Sequence, residues 1–341
     1  MSHGSANLSR EKQMPFALTR RDAIVAGLAS AAGLAIGPAW AQNWPSAQVR
    51  IICTHPPGGL TDGFARAYGD YITQKTGQII VVENRTGAGG ALAAQAVKSA
   101  APDGHTLLIT ISTTMLQNRV LYKQLPYDPD NDFAMVSVMP SGHLPFLAHK
   151  STGVGSVKEL VEYARKNTVS IGTYSPGSLP HLITTMLNKQ FGLNMVAVHY
   201  RGEAPMWQDF AAGVLQCACG SYQAAAGALY NGTGRAIAVP TRTRMKKLPD
   251  VPTFAEQDVA APVLQAIGWI GMFAPVATPP AVVERISSLV VEGGKSERVR
   301  GMLDTFAIDA SALDRAASKK VYDEEGPIWI DAVKGLGLAQ E

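Results

Sequence analysis

The stretch "HPPGGLTDGFAR" (55–66) places two prolines and two glycines directly after an apolar run and directly before a helical pattern. Prolines end and stiffen a strand, and glycines leave backbone N–H groups bare and approachable. A helix start adds unpaired N–H groups and a partial positive charge, a combination suited to holding an anion such as a carboxylate. The same chemistry recurs at Ala88-Gly89-Gly90, Ser112-Thr113-Thr114, Ser175-Pro176-Gly177-Ser178, Tyr200-Arg201-Gly202 and Gly220-Ser221. Each loop taken singly reads equally as ordinary capping, with Thr61, Ser178 and Ser221 as N-caps. Several of them on one edge read as a binding cleft. Asp62, the acid in the first of these loops, is expected to cap the helix or to read a cationic or protonated group of a ligand.

Other chemistry is weaker. "TGAGGAL" (86–92) has Gly87-x-Gly89 but carries Leu92 where a dinucleotide fingerprint needs its third glycine. "GTYSPG" (172–177) sets Gly172 three residues before Ser175, one too many for a nucleophile elbow. An exported hydrolase using Ser175 or His181 is therefore the lesser alternative, and no catalytic residue is assigned. Cys217-x-Cys219 is too close for an unstrained bridge along one strand, so Cys53, Cys217 and Cys219 read as small buried apolar residues. No metal-ligand spacing is present, and neither a metal nor a cofactor is expected.

The elements that must position these loops follow one recurring unit: a short β-branched run, a Gly/Ser/Thr/Pro-rich loop, then an amphipathic helix. Val49–Thr54 leads to 61–75, Gln78–Val82 to 91–99, and Thr106–Ile111 to a turn near Met115. Val169–Thr173 leads to 181–191, Met195–His199 to 206–212, and Leu215–Cys219 to 224–229. The alternation predicts an α/β chain with doubly wound parallel sheets, whose ligands bind at the carboxyl edge. "WIGMFAPVATPPAVVERISSLV" follows as strand, turn and helix, and then helices at 297–305 and 319–334. Tyr322, Trp329 and Val333 at helical spacing read as packing faces.

The chain of 341 residues is long enough for two domains, and 46% apolar content supplies a large core. Its net charge of +3 forms no basic stripe, which argues against nucleic acid as a partner. Residues 1–41 carry Arg20-Arg21, a Gly/Ala-rich apolar segment and Ala39-Trp40-Ala41, the pattern of an export signal cleaved near Ala41. Twin-arginine and general secretory export fit equally. Residues 42–341 then carry +1. Pro-Gly punctuation at 138–145 and around 261–269 suggests two crossings between lobes: 42–142 plus 268–341 as lobe 1, and 143–267 as lobe 2.

The ordered set "PSAQVRIICTHPPGGLTDGFAR", "VVENRTGAGGALAAQAVKSAAPDGHTLL", "VHYRGEAPMWQDFAAG", "GRAIAVPTRTRMKKLPDVPTFAE" and "WIGMFAPVATPPAVVERI" resembles the substrate-binding proteins of tripartite tricarboxylate transporters, the TctC or Bug family. The resemblance covers essentially all of 42–341. It implies a two-lobed periplasmic-binding-protein-like fold with a hinge and an inter-lobe cleft, closing as a monomer over a small organic carboxylate. Its partners would be membrane transporter subunits, or a membrane sensor. On one wall the resemblance implies Pro57, Gly58, Gly59, Asp62, Ala88, Gly89 and Gly90, and Ser112 is added to the expected site from its loop chemistry. On the other it implies Ser175, Pro176, Gly177, Tyr200, Arg201 and Gly202, with Ser178 added likewise. Departures stand at His55, at Arg201 in place of the common Lys, at Gln216-Cys217 and at "GSLPH" (177–181).

Overall fold

A computed structural model describes residues 44–337 except His143 and Ile267. The expected export segment lies outside the described residues, and each expected lobe junction adjoins one residue that is not described. Strands run β1 (Val49–Cys53), β2 (Ile80–Asn84), β3 (Thr106–Ile111), β4 (Phe133–Pro140), β5 (Phe146–His149), β6 (Ser170–Thr173), β7 (Val196–His199), β8 (Cys217–Cys219), β9 (Gly234–Ala238) and β10 (Trp269–Pro275). They form two five-stranded sheets, ordered β2-β1-β3-β10-β4 and β7-β6-β8-β5-β9.

The sheets are mixed, not wholly parallel as expected. β10 pairs antiparallel with both β3 and β4, and β5 pairs antiparallel with both β8 and β9. The physical reason lies in the path. The chain leaves the first sheet at the end of β4 and starts the second with β5, then leaves β9 and returns as β10. A strand arriving from the other sheet enters at the edge the last strand left, so it runs the opposite way. The two crossing segments are tied to each other, Ser141 N–H donating to Gly268 O at 2.8 Å.

Helices occupy the connections: α1 (Leu60–Thr76), α2 (Ala91–Lys98), α3 (Ser112–Met115), α4 (Asn118–Leu121), α5 (Val157–Ala164), α6 (Leu179–Phe191), α7 (Glu203–Ala211), α8 (Tyr222–Tyr230), α9 (Pro280–Gly293), α10 (Glu297–Thr305) and α11 (Arg315–Lys334). Among the described residues no helix is long and apolar enough to cross a membrane. The chemistry of α1 shows why the pattern folds this way. Phe64, Tyr68 and Ile72 recur every fourth residue and are buried as one stripe, each contributing about 2 kcal/mol. Gly77 in the left-handed region then ends the helix, its N–H donating to Thr73 O. β1, apolar at four of five positions, sits between two partners and is buried on both faces. One continuous apolar cluster joins Ile52, Leu108 and Val138 of the first sheet to Phe146, Ile171 and Ile237 of the second.

Candidate functional site

The first wall is built at the end of β1. Register pairs Cys53 with Asn84, the last residue of β2, and this brings Asn84 under the following loop. Asn84 Nδ2 donates to His55 O and to Asp62 Oδ1, both at 2.8 Å. Asp62 Oδ2 accepts from Gly58 N–H and from Arg66 Nε, both at 2.9 Å. Gly58, at φ +83°, makes the turn that aims its N–H at that carboxylate. Burial alone would raise the Asp62 carboxyl, but hydrogen bonds from Arg66, Gly58 and Asn84 outweigh it and hold the group below its usual range. Asp62 is 3% exposed and its charge is matched by Arg66. The brace holds open the start of α1, where the N–H groups of Leu60 and Thr61 have no acceptor within the helix.

That start opens into a cleft of about 540 Å³ between the two sheets. From the first sheet come His55 to Thr61, Ser112, Thr113 and Gln117, with Ser141 and Trp269 at the crossing. From the second come Tyr174, Leu179, Gly202, Glu203, Trp207 and the outer turns of α8, and Trp329 of α11 closes one side. Each strand that points this way contributes its carboxyl end, as the α/β rule requires. The two sheets meet closely here. Gly202 has φ +104°, and a Cβ on it would stand 3.0 Å from Pro56 Cγ. The size and largely apolar walls suit a small organic molecule.

The electrostatics are lopsided. No Lys or Arg lines the cleft among the described residues, and Glu203 is its sole carboxylate. Glu203 Oε1 accepts from Ser221 N–H at 3.0 Å, and Oε2 accepts from Ser221 Oγ. Desolvation raises the Glu203 carboxyl, opposed by the two bonds from Ser221. Desolvation likewise brings the His55 imidazole down to about 4, so it is neutral near pH 7. Any anion in the cleft is therefore met by neutral donors of the backbone and of hydroxyl, amide and indole side chains, not by side-chain cations.

The sequence-predicted residues divide between the cleft and its surroundings. Pro57, Gly58, Gly59 and Ser112 line it, as does Gly202. Asp62 is turned into the brace behind the wall. Ala88 and Gly89 are exposed, and Gly89 O is occupied by Thr114 Oγ1 and Asn118 Nδ2, both at 3.0 Å. Ser175, Gly177 and Ser178 flank Tyr174 and Leu179 without reaching the cleft themselves. Ser178 precedes α6 but its hydroxyl donates to Ser175 O instead of capping, and Gly177 N–H donates to His181 Nδ1 at 3.0 Å. Ser175 Oγ is buried with no hydrogen-bond partner among the described residues. Tyr200 gives its hydroxyl proton to Asp209, and Arg201 is exposed. Ser221 precedes α8 without a side-chain cap, because its hydroxyl is bound to Glu203. Cys53, Cys217 and Cys219 are free and buried.

Sequence reasoning missed Leu144, Glu203, Trp207 and Trp329 as cleft residues. Trp329 packs as expected, at 2% exposure, and also forms cleft wall. For Glu203 and Trp207 a signal existed: they follow the Tyr200–Gly202 loop by one residue and by just over one helical turn.

The model of the tripartite tricarboxylate transporter family receptor matches residues 64–338. Among solved structures, R. palustris Rpa4515 with adipate is 29% identical, covers 87% of this chain and 100% of its own, and has a TM-score of 0.80. The periplasmic binding protein BugD is 27% identical over 87% of this chain and 100% of its own, with a TM-score of 0.77. MatC from Rhodopseudomonas palustris with bound malate is 30% identical over 85% of this chain and 100% of its own, with a TM-score of 0.73. The chain belongs to the tripartite tricarboxylate transporter receptor family, and its fold is that of the two-lobed periplasmic binding proteins.

Proposed function

From membership of this family we propose that the chain is an exported solute-binding protein that captures a small organic carboxylate between two lobes and delivers it to a tripartite tricarboxylate-type membrane transporter. The observation that carries the reading is the braced start of α1, which presents N–H groups to an apolar cleft shared by both sheets. The adipate and malate bound by two structural relatives support the same ligand class. We assign lobe 1 to 42–142 plus 268–341 and lobe 2 to 143–267, with the paired crossings at Ser141 and Gly268 as the hinge. Closure in this reading is driven by a ligand touching both walls, which already approach each other at Gly202 and Pro56. In this reading 1–41 is the export signal, the mature chain works outside the cytoplasm as a monomer, and the protein binds without catalysing. Among the described residues no base is hydrogen-bonded to Ser175 Oγ, which favours binding over a serine hydrolase. In this reading Pro57–Gly59, Ser112 and Gly202 form cleft wall directly, while the loops at 88–90, 175–178 and 200–201 support it from behind.

A thermal-shift screen of residues 42–341 against carboxylates, amino acids and sugars, followed by calorimetric titration, tests this. Stabilisation by carboxylates is expected. Stabilisation by neutral sugars alone overturns the reading.

A further inference from the structure

We propose that Glu203 occupies, from within the protein, the anion position at the starts of α7 and α8, so that the cleft takes a monocarboxylate and rejects a dicarboxylate. This rests on the carboxylate reading above and narrows it. Glu203 is the first residue of α7, and Ser221 is the residue from which α8 starts. Ser221 does not cap its own helix. Its N–H donates to Glu203 Oε1 at 3.0 Å and its hydroxyl to Oε2. A side-chain carboxylate thus already sits where two helix starts meet, held as a bound carboxylate would be. Glu203 and Gly202 belong to the cleft wall, and Gly202 packs on Pro56 of the opposite wall.

The first wall is the converse. Asp62, the acid in the first turn of α1, is held out of the cleft by Gly58, Asn84 and Arg66, with its charge matched by Arg66, which leaves the N–H groups of Leu60 and Thr61 without an acceptor within the helix. One anion position is open and the other is filled. A ligand's second carboxylate would stand beside Glu203 in a site that offers neither Lys nor Arg among the described residues and whose one imidazole, His55, is neutral. The surface beyond Glu203, with Trp207, Ala224 and Trp329, fits an uncharged tail.

Calorimetric titration with matched pairs isolates the charge: succinate, adipate and terephthalate, each against its monomethyl ester. In the wild type, the monoester of any pair that binds is expected to bind at least tenfold tighter than the diacid. Glu203→Gln removes the charge and keeps one acceptor oxygen for the Ser221 N–H, while its NH2 can donate to the Ser221 hydroxyl oxygen. In that variant the ratio is expected to fall below about threefold, a change that a purely structural role would not produce. A diacid that binds the wild type as tightly as its monoester overturns the inference, and so does an unchanged ratio in a folded Glu203→Gln variant. The wild-type comparison stands even if that variant fails to fold. Silence of all three pairs, when other carboxylates bind, sinks the inference alone. Silence of every carboxylate sinks the carboxylate reading and the inference with it.

Discussion

Replacing Asp62 by Asn separates a structural brace from a ligand reader. The carboxylate accepts from Gly58 N–H, Arg66 Nε and Asn84 Nδ2 at 2.8–2.9 Å. An asparagine there keeps the volume, turns an NH2 towards at least one existing donor and leaves that donor unmatched. Hydrogen bonds to a charged group contribute about 1.5–3 kcal/mol each, and the pair with the half-exposed Arg66 adds under about 1. Because Gly58 is open to water, the lower values apply, and the substitution is expected to destabilise by about 3 kcal/mol. That corresponds to a Tm drop of roughly 6–10 °C. The sign of the pH dependence follows from the depressed carboxyl. Its contribution is complete above the unfolded value of about 3.9 and is lost as pH falls through the lower folded value. The stability gap between wild type and Asp62→Asn, from urea denaturation, should be flat from about pH 5 to 8 and close below about 4. Ligand affinities should weaken together as the α1 start loosens, with their ranking preserved. A variant as stable as the wild type that specifically loses ammonium-bearing ligands would refute the brace and make Asp62 a reader of cationic groups.

Gly202→Ala forces a side chain into φ +104° and to 3.0 Å from Pro56, so it should cost about 1–3 kcal/mol and weaken binding, measured by denaturation and calorimetry. Unchanged affinity would show that the two walls need not meet at that point. Trp207, Trp269 and Trp329 line the cleft, and ligand addition should therefore shift intrinsic fluorescence, with the shift reduced in Trp207→Phe. His181, whose ring centroid is 4.5 Å from that of His199, has its pKa lowered to about 4, mainly by burial and then by the neighbouring His199 charge. The folded state then binds fewer protons than the unfolded one between about pH 4 and 6.5, and stability should rise with pH across that window. His181→Gln should flatten that rise in denaturation midpoints. A thiol reagent should find no reactive cysteine in the native protein and three after unfolding, since burial pushes the Cys53 thiol to about 12 and the others up as well.

What the sequence reveals, and what it hides, follows from how far away each partner lies. Thr106–Ile111 and Glu297–Thr305 are readable to the residue, because local periodicity and flanking turn residues determine them. The direction of β5 and β10 is not readable. Phe146–His149 and Trp269–Pro275 are buried throughout, and a run that is apolar on both faces looks the same pointing either way. Only the two crossings between sheets set it. The site divides on the same principle. Pro57-Gly58-Gly59 announces a bare helix start within five residues, whereas the role of Asp62 depends on Asn84, 22 residues away and delivered by the register of β1 on β2. Loops of the same composition then behave differently because of partners the composition does not name. At 88–90 the backbone is engaged by Thr114 and Asn118, and at 175–178 by Ser178 and His181. Even the acid in the cleft looks, in "YRGEAP", like an ordinary first-turn glutamate. It becomes an internal anion only because β8 ends beside it and hands it Ser221. A helix start is open to a ligand only where no distant side chain has reached it first, and in this cleft that condition distinguishes α1 from α7 and α8.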